Sequence, residues 1–111
     1  MATSTPWGTA QQSHQLAPGI MQYYTAGHGG IHLSQGRLKG LPPEFLGWDG
    51  KNGQGGWYEE DCEAAKVLLW FGIVCDHWAD PAARRQAVKN NVKQWNPEAW
   101  AVWVGLHPED K

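Results

Sequence analysis

The chain has 111 residues, with 9 basic and 11 acidic side chains for a formal charge of −2, and 8 tryptophans. That length holds one domain (1–111) with a real core and excludes a two-domain enzyme. The near-balanced charge supplies no general attraction to a phosphate backbone and argues against non-specific nucleic-acid binding.

The two halves differ in character. Residues 1–56 hold most of the glycines and prolines, whereas residues 57–105 are rich in Ala, Glu, Lys and apolar side chains. This shift predicts an α+β fold: a small N-terminal antiparallel sheet of two or three strands packed on about three C-terminal helices. The structured core is expected over residues 5–105, with 106–111 a polar tail.

In chain order, Met1 to Gly8 is polar and has no apolar signal-peptide segment. Thr9 to Ala17 is ambiguous but compatible with a strand. Pro18-Gly19 is a turn dipeptide, and Ile20 to Ala26 carries strand-favouring residues. Gly27-His28-Gly29-Gly30 turns the chain again, and Ile31-His32-Leu33 reads as a short third strand. Ser34 to Gly40 is a turn or a single helical turn. Pro42-Pro43-Glu44-Phe45-Leu46 begins a short helix, and Trp48 to Gly56 is a loop.

Trp57 to about Val74 reads as a buried central helix whose first turn holds Glu59, Glu60 and Asp61, where the helix dipole favours acids. Asp80-Pro81 and Asn96-Pro97 are cap-and-proline starts of two further helices. In the first of these, Val88, Val92 and Trp95 form an apolar stripe, with Arg85, Lys89 and Lys93 alongside as a basic one. Trp100, Trp103 and Val104 share a face of the last helix, which ends at Gly105. The longest apolar run, Val67 to Cys75, is too short to span a bilayer. The two cysteines, Cys62 and Cys75, read as free thiols of a cytoplasmic protein.

Several groups carry chemistry. His28 and His32 fall on one face if the chain is extended, so with a carboxylate they form the candidate metal set. Cys62, with His28 as base and Glu60 as orienting carboxylate, is the candidate nucleophile, though the acids around the thiol disfavour its thiolate. Glu59, Glu60, Asp61 and Trp57 form a candidate surface for a basic protein partner. Arg84, Arg85, Lys89 and Lys93 are the candidate nucleic-acid contacts. No cofactor is assigned, and oligomeric state is left open.

Four segments occur in order: Thr5-Pro6-Trp7-Gly8, the Ala-Gly-His-Gly-Gly-Ile-His-Leu-Ser stretch at 26–34, Gly-Gly-Trp-Tyr-Glu-Glu-Asp-Cys at 55–62, and Trp-Asn-Pro-Glu-Ala at 95–99. In these the chain resembles a family of small domains of unknown function from bacteriophages, plasmids and other mobile elements. The likeness spans about residues 5–105. It departs from the family pattern at Gly27, where a serine precedes His-Gly-Gly. The resemblance implies a small mobile-element protein, and short proteins of that setting often inhibit host defence by binding a component of it. The leading expectation is therefore a non-enzymatic, anti-CRISPR-like inhibitor that binds a host defence complex in the bacterial cytoplasm through its acidic surface. The alternatives are a small Cys/His/carboxylate enzyme or metal protein, and a nucleic-acid-binding accessory protein.

Overall fold

Short turns cut the first half into strands that pair with their sequence neighbours, as β-favouring segments joined by glycine and proline turns do. The structure, a computed structural model, describes residues 4–47, 56–60, 63–74 and 78–111. Strands β1 (Ser4–Thr5) and β2 (Gly8–Thr9) form a small hairpin of their own. Strands β3 (Gln12–Ala17), β4 (Ile20–Tyr24), β5 (Gly29–Leu33) and β6 (Trp57–Glu59) form a four-stranded antiparallel sheet in that order. The fold is α+β as expected, but the sheet gains a fourth strand and a separate hairpin beside it. Gly19 takes φ +78° in the Pro18-Gly19 turn, the left-handed conformation glycine adopts without strain. A bulge between Gln15 and Ala17 precedes that turn.

The main correction concerns Trp57. Residues 57–59 are not the start of a helix; they pair with β5, Trp57 opposite His32, Tyr58 opposite Ile31 and Glu59 opposite Gly30. The ladder is extended on both sides, from Leu33 N–H to the Gly56 carbonyl (2.8 Å) and from Glu60 N–H to the Gly29 carbonyl (3.0 Å). Tyr58 points inward, fully buried, and donates its hydroxyl to the Phe45 carbonyl at 2.7 Å. A period of two wins over helix dipole chemistry here because it buries Tyr58 and satisfies the backbone edge of β5.

Helix α2 (Ala64–Trp70) therefore begins later and ends sooner than expected. Its stop is local: Gly72 takes φ +63°, its N–H reaches the Leu69 carbonyl (3.3 Å), and Ile73 N–H reaches Leu68 (3.1 Å). This is a Schellman closure. Single-turn α1 (Gln35–Leu38) and a 3₁₀ turn (Pro43–Phe45) occupy the places expected for short helical pieces. The expected loop at 48–55, together with Asp61, Cys62 and Cys75, lies outside the described residues.

Helix α3 (Pro81–Trp95) starts as its cap signal implies, with Asp80 Oδ1 accepting from Ala83 N–H at 3.1 Å. Helix α4 (Pro97–Leu106) follows after Asn96 and passes through Gly105 instead of ending there. The polar residues after it fold back as a 3₁₀ turn (Pro108–Asp110). Asp110 accepts from Trp103 Nε1 (2.8 Å) and Lys89 Nζ (2.9 Å), and the His107 ring stacks on Trp103 at 3.7 Å.

α2 is the hinge of the core. On one side Ala64 and Val67 meet Ile20, Ile31, Leu33 and Tyr58 of the inner sheet face. On the other, Ala65 and Leu69 meet Phe45, Val88, Val92, Ala99 and Trp103. Among the described tryptophans only Trp103 is buried, and Trp95, placed on the apolar stripe by its spacing, is exposed. No helix among the described residues is long and apolar enough to cross a membrane.

Candidate binding face

The outer face of the sheet is built by the β4–β5–β6 register. Tyr23 lies opposite Gly30, Gly30 opposite Glu59, and His32 opposite Trp57, so all five share the side turned away from α2. A further ring arrives from the β1–β2 hairpin. Thr5, buried at its base, accepts Trp7 N–H with Oγ1 (3.1 Å) and donates that hydroxyl to the Gly8 carbonyl (2.7 Å). This turn aims Trp7 at Gly30, where a Cβ would collide with the Trp7 ring and the Tyr58 carbonyl. Gly30 thus serves as the floor for an indole.

Trp57 is the centre of the resulting cluster. Its ring centroid lies 4.4 Å from His32, 5.7 Å from Tyr23 and 5.9 Å from Trp7, the last edge-to-face at 87°. All four rings are half-buried, so each keeps a solvent-facing part. Half-buried Glu59 sits on the same face. Exposed Glu60 follows and turns to the other, α2-facing side of the sheet, its carboxylate over Gly29: a Cβ there would come within 2.8 Å of Glu60 Oε2. The paired glycines after His28 therefore have separate roles, Gly29 making room for Glu60 and Gly30 for Trp7. Three of the segments singled out in the sequence meet at this one face.

The structure places the expected site residues unevenly. Trp57 and Glu59 come together on the outer face of a strand instead of in a helical first turn, whereas Glu60, in the turn after it, faces the α2 side. His28 is exposed in the β4–β5 turn, which Thr25 staples: its N–H and Oγ1 both donate to the His28 carbonyl, at 2.7 and 2.9 Å. The β5–β6 ladder brings the His28 and Glu60 segments next to each other, while Cys62 and Asp61 lie outside the described residues. His32 packs against Trp57, and among the described residues no three His, Cys, Asp or Glu side chains gather where an ion could be held. Trp7 and Tyr23 are members of the face that residue chemistry alone did not nominate; the signal for Trp7 was its Pro-Trp-Gly turn.

All of residues 1–111 match the model of the family described as Domain of unknown function (DUF7007). The chain belongs to the DUF7007 family. No curated protein and no solved structure matches it.

In this DUF7007 domain the basic stripe of α3 is largely internal wiring. Arg85 donates to the Leu68 (3.1 Å) and Leu69 (3.2 Å) carbonyls at the end of α2 and lies 5.7 Å over the Trp103 ring. Lys89 is held by Asp110. Arg84 and Lys93 remain exposed. Two of the four candidate nucleic-acid contacts are thus tied to the protein's own groups, and two remain at the surface. Arg84 instead lines a groove of about 300 Å³ between the sheet, α2 and α3, with Glu60, Gln22 and Trp78. The two charged runs of the sequence meet there, a carboxylate and a guanidinium lining the same groove.

Proposed function

We propose that this protein is a non-enzymatic binding protein of mobile-element origin that inhibits a host defence complex, anti-CRISPR-like, by occupying a basic surface of it. The observation that carries the reading is the shared outer face, where Trp57 and Glu59 stand beside Trp7 and Tyr23; Glu60 follows around the end of the strand. Large aromatic rings anchor protein interfaces, and flanking carboxylates steer a basic partner and fix its register. The mobile-element setting rests on the resemblance in the same segments.

The test is plasmid interference in bacteria with an active CRISPR effector, paired with binding to the purified effector. Wild-type protein restores plasmid establishment, whereas the Glu59→Lys/Glu60→Lys variant loses affinity by about tenfold or more and no longer protects. A Glu109→Lys variant, reversed at a distant exposed acid, protects as wild type does. Undiminished protection by the Glu59/Glu60 variant, or none by the wild type, overturns the reading. The adjacency of the His28 and Glu60 segments favours a second reading, a small enzyme or metal protein using His28, Cys62 and a carboxylate. His28→Ala separates the two, since a binding protein keeps its inhibition and an enzyme loses it.

A further inference from the structure

Trp95 is the last residue of α3, one helical turn beyond fully buried Val92, yet it is 60 % exposed. Its indole therefore offers an aromatic face to solvent at the helix junction. It borders a groove of about 340 Å³ at the α3–α4 junction, whose walls also include Glu44, Glu63, Glu98 and Lys66. Each acid comes from a different element: Glu44 from the 3₁₀ turn, Glu63 from the residue before α2, and Glu98 from the first turn of α4. The lysine is already engaged. Buried Lys66 donates to the Leu46 carbonyl at 2.8 Å and pairs with Glu63 at 2.7 Å. With three carboxylates against one ammonium, the groove is net negative, and exposed Glu44 and Glu98 carry the surplus beside the indole.

We propose that this groove docks an arginine side chain of a basic protein partner, its guanidinium against the Trp95 ring and its N–H groups on the Glu44 and Glu98 carboxylates. An aromatic face attracts a cation, and the planar, weakly hydrated guanidinium stacks on indole and forks onto carboxylates as an ammonium cannot. Charge complementarity selects this occupant over others. An apolar segment would strip water from the acids without replacing it. A second copy of this chain would bring another net charge of −2. Of its own three arginines, Arg37 donates to the Pro18 carbonyl, Arg85 to the end of α2, and exposed Arg84 lines the other groove beside Glu60. The proposal deepens the binding-protein reading by naming a second contact and its chemistry, and rests on that reading only for there being a protein partner.

The experiment is calorimetric titration of the full chain with a short arginine-rich peptide and with its lysine counterpart, at low and at physiological salt. The arginine peptide binds more tightly than the lysine peptide. Trp95→Ala weakens arginine binding about three- to tenfold and narrows that preference. Trp95 is largely in solvent, so the variant keeps its fold, which an unchanged thermal midpoint checks. Glu44→Gln/Glu98→Gln weakens binding and flattens its salt dependence, whereas Glu109→Gln, outside the groove, does neither. Equal affinity of Trp95→Ala and wild type, equal affinity of the two peptides, or an equal loss with Glu109→Gln would overturn the proposal. Because the interference assay reads Glu59 and Glu60 and the titration reads Trp95, Glu44 and Glu98, each can fail without the other.

Discussion

Replacing Gly30 by alanine adds one methyl group where the hairpin, β5 and β6 meet. That carbon would lie closer to the Trp7 ring and to the Tyr58 carbonyl than real Cβ atoms approach other groups. The indole can rotate aside, but the carbonyl belongs to the strand paired with β5, so relief requires the ladder to move. Gly30 is not among the glycines with positive φ, so the cost is steric and not conformational. Overpacking of this kind costs about 1–3 kcal/mol, and alanine returns about 0.4–1 kcal/mol by restricting the unfolded chain. The net loss is about 1–2 kcal/mol, and in a small domain each kcal/mol lowers Tm by about 4–8 °C. A double-mutant cycle assigns the contact. Trp7→Ala opens the space that the methyl needs, so the double variant loses less than the two single variants together, by about 0.5–1 kcal/mol. Urea denaturation gives the energies, and near-UV circular dichroism reports whether the Trp7–Trp57 pair survives. A Gly30→Ala protein that unfolds at the wild-type midpoint, or strict additivity in the cycle, would refute the account of how the glycine pair builds the face.

Two predictions separate internal wiring from surface charge. Arg85→Ala removes charge-assisted bonds to the end of α2 and the stacking on Trp103, destabilising the fold by about 1.5–3 kcal/mol in chemical denaturation; exposed Arg84→Ala, one residue away, stays within about 0.5 kcal/mol of wild type. Asp110 titrates below its ordinary value of 3.8, held down first by the Trp103 Nε1–H bond and then by Lys89. A depressed folded pKa means that its contribution to stability is complete above pH 3.8 and is lost as pH falls through the lower folded value. Asp110→Asn therefore shows a weaker loss of stability over that acid window than wild type, and an unchanged pH profile would contradict the assigned bonds.

Local devices were legible in the sequence because the groups that make them lie within a few residues of one another. Pro18-Gly19 turns the chain whatever packs on it, and Asp80 caps a helix through an N–H three residues on; Gly72 closes α2 by equally local bonds, although the apolar run around it reads as helix to Val74. The α+β division followed from the same local preferences. Tertiary structure decided what the candidate site residues sit on. Trp57-Tyr58-Glu59 has acids suited to a helix start and aromatic rings suited to a strand, and the choice falls to β5, whose pairing residues lie more than twenty positions earlier. Helical spacing put Val92 and Trp95 on one stripe, but α3 outruns the core and leaves Trp95 in water. It likewise put Arg85 in a row of cations, although the carbonyls that take it up belong to α2. A sequence specifies by itself what its neighbouring groups can satisfy; which side chains are covered, and by what, depends on contacts between distant segments that only the folded chain brings together.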